Sequence, residues 1–377
     1  MTAFDRAWDL LKALGEEGDL FYWDKRLYPE TARTFSTGRG PAYERIFDYI
    51  SNVVGPDKVS EFFDTNRVSY PVEGREIAPW REVMESSSPK KGRDEALALI
   101  GGKFGAPNKM PGPTFSLPTH LCNRGGVLRE VPGSTCNRCY AHGQGNYGFN
   151  NVLMSQWRNA HALLTPDEEG TARYASAMAN RIPASSFDFG DPYFRWFDSG
   201  DLQGAEHLSM ISDIARNIND QSRFPVQMWL PTREEGAISR LLDARGWDDA
   251  LPENLAVRLS APFTGQTLDD DVNRELGLPA LPRRFHDILE HPQVSFSATS
   301  AASPDIHICP ASIGKLGGKC DDYGCRKCWD PAANISYNMH TGGSKSARTP
   351  LFGGGRVDYT SEGIPLIDRA RMLQGDS

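Results

Sequence analysis

From residue 114 onward, short apolar and aromatic runs alternate with stretches of helical periodicity, and few folds accept that alternation. The strand candidates are Thr114–Leu117, Tyr193–Asp198 (YFRWFD), Val226–Leu230 (VQMWL), Leu255–Ser260 (LAVRLS), Val294–Ala298 (VSFSA), Ile306–Ile308 and Asn334–Met339 (NISYNM). Between them, Asn150–Leu164, Pro166–Arg181, Leu202–Ile218 and a stretch ending at Ala244 read as helices. Buried strands separated by helices imply a parallel sheet with right-handed crossovers. Five or six β/α units suit an open, partial barrel, because a closed eightfold barrel typically needs about 250 residues. In either case the active site is expected at the carboxyl ends of the strands. Ser199-Gly200-Asp201, Thr232, Glu234 and Ser260 all fall there.

The 377 residues leave room for more than the barrel. Residues 1–85 read as a helical extension, with helices over 42–54 and 58–63 split by Gly55-Pro56-Asp57. Residues 86–113, rich in Ser, Pro, Lys and Gly, read as a linker around one short apolar helix. The barrel is expected over 114–300, a cysteine-bearing segment with the last strand over 301–345, and a tail over 346–377. No apolar run reaches the roughly 18 residues of a membrane-crossing helix, and the amphipathic, acidic start lacks signal-peptide features. A cytoplasmic location is therefore expected, in which thiols stay reduced. A net charge of −8 argues against nucleic-acid binding through the overall field. Lys345, Arg348 and Arg356 in the tail, and Arg283 and Arg284 before His286, read as solvated surface.

Seven cysteines fall into a three and a four. Cys122, Cys136 and Cys139 are spaced C-x13-C-x2-C, directly after the first expected strand. Glycines 125, 126 and 133 let the intervening loop fold back. Cys309, Cys320, Cys325 and Cys328 are spaced C-x10-C-x4-C-x2-C in a Gly-rich stretch. Four thiolates close a metal centre, whereas a cluster held by three leaves one iron open. The arithmetic thus points to one working and one supporting centre. Spacing does not choose the metal. His120 and His142 flank the first set, so zinc on three cysteines and a histidine stands beside iron–sulfur there, and zinc stands beside iron–sulfur at the second set too.

Cys136-Asn-Arg-Cys139-Tyr140-Ala141 resembles the C-x2-C-Y-A of phage-borne, radical-SAM-like proteins. The wider set SLPTHLC, CNRCYA, FRWFDSGDL, VQMWLPTREE, NLAVRLS and CPA…C…CRKCW is similar to a phage family known as gene product 88, over roughly residues 112–340. The resemblance implies an α/β fold, a partial (β/α)6 barrel of radical-SAM type. It implies a 4Fe–4S cluster on Cys122, Cys136 and Cys139, whose open iron takes S-adenosylmethionine and which needs an electron donor. Ser199-Gly200-Asp201 stands where such enzymes carry a Gly-Gly-Glu-like turn for the methionine amino group. Arg258 and Ser260 are the implied contacts to its carboxylate or ribose. Arg258 also alternates with Val257 and Leu259, which leaves pairing with a carboxylate such as Asp198 open. The trailing cysteines resemble an auxiliary 4Fe–4S site.

The chain departs from the radical-SAM pattern in its C-x13-C spacing, in Arg138 before the last cysteine, and in SGD for GGE. A phage setting implies an isomerase that rearranges an amino-acid-modified thymidine in DNA, serving restriction evasion. A DNA substrate calls for a basic rim at the barrel mouth. The competing expectation is a non-catalytic, zinc- or iron–sulfur-binding nucleic-acid or assembly protein. His340, after the last strand, is a proton-donor candidate if it faces the strand ends.

Overall fold

The structure is a computed structural model and describes residues 68–77, 89–129, 131–142, 147, 150–164, 166–301, 303–312 and 318–338. The helices expected over 42–54 and 58–63, His340 and the tail from 346 lie outside the described residues.

Six parallel strands form one curled half-barrel sheet: β1 Tyr193–Arg195, β2 Gln227–Thr232, β3 Leu255–Ser260, β4 Val294–Thr299, β5 His307–Ile308 and β6 Ile335–Tyr337. Their order is β1-β2-β3-β4-β6-β5, so β6 lies between β4 and the edge strand β5. Thr114–Leu117, expected as a strand, runs extended beside β1. Phe115 N–H donates to Arg195 O (3.0 Å), Leu117 N–H to Ser199 O (2.9 Å), and Arg195 N–H to Pro113 O (3.1 Å).

Strand alternation sends two kinds of side chain to the two faces. Phe194, Met228, Leu230, Leu255, Val257, Leu259, Val294 and Phe296 join the main hydrophobic core beneath the helices. Arg195, Trp229, Arg258, Ser260, Ser295, Ser297 and Tyr337 occupy the alternate positions. The second face is therefore polar and aromatic, as suits a wall around a cavity rather than a packed interior.

The helices are α1 Pro89–Leu99, α2 Asn123–Arg129, α3 Asn150–Leu164, α4 Glu168–Phe189, α5 Ala205–Gln221, α6 Glu235–Arg245, α7 Asp270–Glu275 and α8 Arg283–Leu289. Leu208, Ile211, Ile214 and Ile218 give α5 one buried stripe at helical spacing. Asp167 caps α4 through Gly170 N–H (2.9 Å), and Gly190, in the left-handed region, ends it. This helix runs eight residues past Arg181, through the buried Pro183.

Residues 86–113 are not a spacer. Ala96 on α1 and Ile100 just after it are buried in the main core, and Gly105 pairs with Thr114 beside β1. Residues 68–77 also belong to the fold. Val68, Tyr70 and Ile77 are buried, and Tyr70 Oη donates to Asp213 Oδ2 (2.7 Å). Arg245 grips both oxygens of that carboxylate at 2.7 and 2.8 Å, tying α6 to α5. No described helix is long and apolar enough to cross a membrane.

Candidate functional site

The three-cysteine set and the turn after β1 line one cavity of about 260 Å³ at the carboxyl ends of the strands. Cys122 follows a 3-10 turn, Thr119–Leu121, and directly precedes α2. Cys136 opens a second 3-10 turn, and Cys139 N–H closes it on Cys136 O (3.1 Å). Gly125 on α2 makes the approach of the two segments possible. A side-chain carbon there would stand 3.1 Å from Cys122 Cβ and 3.4 Å from Cys136 Sγ. The hairpin is pinned by Thr135 N–H to Pro262 O (2.9 Å) and Asn137 Nδ2 to Arg129 O (2.7 Å).

Burial pushes the Cys122 thiol well up, and the charges of Asp201 and Cys139 add to the rise. Burial also raises Cys136, against the pull of Arg233 and Arg129. At Arg233 burial opposes the charge, but Cys136, Asp201, Cys139 and Cys122 outweigh it and hold the pKa above its ordinary value. A guanidinium thus sits among the thiols, the arrangement that favours thiolates. Among the described residues, no group of three or more His, Cys, Asp and Glu side chains could hold a metal ion as it stands. His142 is buried, and its Nδ1 is 2.9 Å from Thr119 Oγ1.

The turn after β1 is strained and then relieved by glycine. Phe197 takes φ 52°, a region that bulky side chains avoid. Gly200 follows at φ 81°, and a Cβ there would lie 2.6 Å from Leu117 Cβ. Asp201 is buried and accepts from Leu202 N–H (2.8 Å), Thr232 Oγ1 (2.6 Å) and Arg233 N–H (3.0 Å). A carboxylate offers about four acceptor positions, so one remains. Burial raises its pKa, while these donors lower it. Ser199 Oγ is buried and has no hydrogen-bond partner. Glu234 accepts from Arg124 N–H (2.7 Å) at the start of α2, and burial next to Asp201 pushes it up to about 8.

Ser260 lines the cavity, its hydroxyl 3.0 Å from that of Ser297. Arg195, Trp229 and Tyr337 line it as well. The Arg195 guanidinium lies 4.3 Å from the Trp229 ring centroid, and Trp229 and Tyr337 stack with centroids 6.1 Å apart.

Arg258, expected at the methionine carboxylate, is elsewhere. It is fully buried, and all its donors point into the four-cysteine segment or to Ser295. Nε donates to Cys328 O (3.2 Å), Nη2 to Lys327 O and Asp330 O (2.6 Å each), and Nη1 to Ser295 Oγ (2.7 Å) and Ala333 O. Its partners are four backbone carbonyls and the Ser295 hydroxyl, not the Asp198 carboxylate. Trp329 secures the same segment through Nε1 to Phe194 O (2.9 Å).

The four trailing thiols influence one another. Burial raises Cys309, and the charge of Cys325 adds to it. Burial with Cys309 and Cys325 pushes Cys320 up to about 11. Cys328 is pushed up to about 12 by burial, although its Tyr337 Oη contact (3.3 Å) pulls down. His307 Nε2 stands 3.5 Å from Cys325 Sγ. Sequence reading missed Arg195, Arg233, His307 and Tyr337. Each lies within or beside a strand, and strand phase at Arg195 and Tyr337 was the available signal.

No curated protein and no solved structure matches this chain. A family profile described as Gene product 88 matches residues 85–331, which takes in both cysteine sets and strands β1 to β5. By that match over more than half its length, the chain belongs to the Gene product 88 family.

Proposed function

We propose that this protein is a radical S-adenosylmethionine enzyme and that the 260 Å³ cavity is its reaction chamber. What carries the reading is the meeting of Cys122, Cys136 and Cys139 with Ser199-Gly200-Asp201 on one cavity at the strand ends. As they stand the described residues form no metal-holding group, so the reading rests on the three thiols sharing a cavity with a turn suited to an amino-acid ligand. Arg233 and Arg129 offset negative charge at the sulfurs. The partnerless Ser199 hydroxyl and the last open acceptor position of Asp201 supply polar contacts for an ammonium. Gly200 lets backbone approach where a side chain cannot stand. With a bound 4Fe–4S cluster and S-adenosylmethionine, such a site supplies an electron and a carbon radical that takes hydrogen from substrate.

The chain's own part is to hold, orient and enclose. Thr232 and the Arg233 N–H fix the Asp201 carboxylate. Ser260 and Ser297 present hydroxyls on the cavity lining. The four-cysteine segment, held by Arg258, lies against Trp229 and Tyr337 and suits an accessory centre. The substrate proposed is an amino-acid-modified thymidine in DNA, and the reaction an isomerisation. Arg138, exposed on the cavity lining, is a positive group at the rim that a phosphate backbone calls for.

The test is anaerobic purification with iron and sulfide analysis, followed by assay for 5′-deoxyadenosine under reductant. Iron and sulfide at about eight each per chain and reductant-dependent 5′-deoxyadenosine are expected. Colourless protein carrying two zincs would sink the enzyme reading and favour the binding-protein alternative. A Cys139→Ala chain is expected to lose 5′-deoxyadenosine formation while keeping the second centre.

A further inference from the structure

Of the described residues that line the cavity, two are exposed, Arg138 and Tyr140, and they mark its mouth. They flank Cys139 on the C-x2-C hairpin. Tyr140 keeps 43% of its surface exposed. A single exposed aromatic side chain is ordinary on a protein surface. This one is held in a fixed place. Its hydroxyl donates to Asp198 O (3.0 Å), just past β1, and the Arg195 side chain is hydrogen-bonded to it as well. Tyr147 stands edge-on to the ring, with centroids 5.6 Å apart and planes at 66°. The Tyr147 hydroxyl donates to the same Asp198 carbonyl oxygen (3.2 Å).

The backbone that carries the ring is turned and closed on both sides. Cys139 N–H donates to Cys136 O (3.1 Å), and His142 N–H donates to Cys139 O (3.2 Å). A ring fixed at its head and at its backbone presents its surface to a ligand at little further entropic cost. Every nucleobase has a π-face. Sites for single-stranded nucleic acid pair aromatic rings, on which bases stack, with cations that track the phosphates. Arg138, exposed two positions before Tyr140, is such a cation. Its guanidinium suits a phosphate through paired N–H donors.

We infer that Tyr140 is a stacking platform at the cavity mouth, on which a nucleobase of the substrate strand lies, with Arg138 meeting the adjoining phosphate. The inference rests on the cavity being a nucleic-acid substrate site, as proposed above, and names the residues that take hold of the strand. A base inside a duplex has both faces covered by its neighbours. The platform therefore calls for an unpaired or extruded base.

The experiment follows the fluorescence anisotropy of labelled strands titrated with the full chain, purified without air. One probe is an oligothymidylate of about ten nucleotides, within the range that single-strand sites cover. The other is an abasic strand of the same length, with the same phosphates and no bases. Wild type is expected to bind the oligothymidylate about tenfold or more tighter than the abasic strand. Tyr140→Ala should erase that preference, and Tyr140→Phe should retain most of it, because the ring stays. Arg138→Gln should weaken both strands by a similar factor and flatten the log–log salt dependence by about 0.7.

Any of five results overturns the inference: the oligothymidylate does not bind, wild type binds the two strands equally, the preference survives in Tyr140→Ala, Tyr140→Phe loses it as fully, or Arg138→Gln binds both strands as wild type does. Circular dichroism checks the fold. If the alanine variant is misfolded, Tyr140→Leu, which keeps bulk without a π-face, decides. Failure of the enzyme reading shows separately. Cluster-loaded wild type that forms no 5′-deoxyadenosine but keeps the Tyr140-dependent preference would remove the reaction and leave the platform. A chain that forms 5′-deoxyadenosine without any base preference would keep the reaction and remove the platform.

Discussion

Arg258 and Arg195 stand on the same inner face of the sheet, two strands apart, and meet opposite fates. Arg258 finds an acceptor for every donor, four of them carbonyls between Lys327 and Ala333. Arg195 finds a thioether, an aromatic ring, a hydrogen bond to Tyr140 and the charge of Asp198. Arg258 makes a hydrogen-bonded joint outside the cavity lining, and Arg195 stands on the lining itself. Burying a charge is costly unless hydrogen bonds replace water, so the first arrangement stabilises the fold. The second leaves a guanidinium on the cavity lining. The same side chain thus serves as an internal joint at one position and as cavity lining at the other.

The largest effect that tests this contrast is expected at Arg258. Arg258→Met strands several buried carbonyls and is predicted to destabilise the chain by about 3–5 kcal/mol. Urea denaturation reads that loss, and early proteolysis within 309–334 is expected with it. Arg195→Gln, by the same measurement, should change stability by less than about 1 kcal/mol. Equal losses at the two positions would break the comparison.

A smaller effect is expected at the turn after β1. Gly200→Ala places a methyl against Leu117 and a side chain at positive φ, which costs about 1–3 kcal/mol. Differential scanning calorimetry should show the drop. A Leu117→Ala partner change should recover the steric share but not the backbone share.

A further effect is one of pH. The Glu234 carboxyl, ordinarily near 4.5, is raised to about 8 in the fold, chiefly by burial and then by Asp201. Between those values the folded chain keeps a proton that the unfolded chain has released. Stability therefore falls as pH rises through that window, and the penalty is complete above the folded value. Glu234→Gln should flatten this part of the stability–pH curve. An unchanged slope between pH 5 and 8 would assign it to other groups.

Much of this was legible in the sequence because strand phase is local. LAVRLS and VSFSAT show apolar residues at every second position, and those residues reach the main core. The same phase put Arg258 and Ser260 on the inner face, but phase fixes a face and not a depth. The acceptors that claim Arg258 lie about seventy positions away in sequence, beyond any local pattern. The Gene product 88 likeness was legible from its motifs, and the profile match bears it out.

Composition misled where it stood in for packing. The Ser-, Lys- and Gly-rich stretch before residue 113 hid Ala96 and Ile100, whose burial makes α1 part of the core. The helix expected to end at Arg181 carries on through Pro183 to Phe189. The placement of β6 inside β5 was not legible, because a strand of three residues carries too little pattern to choose a neighbour.

That placement has a consequence for assembly. Earlier parallel neighbours in the sheet are joined through helices, as at α5 and α6. The return from β5 to β6 is made by the stretch holding Cys309, Cys320, Cys325 and Cys328. An inserted strand waits on the closure of its connecting loop, and closure costs entropy that grows with loop length. A ligand that gathers four thiols would shorten this loop before the strand docks. Loading of the second centre would then set the order in which the barrel is completed, with β6 as the last piece to enter.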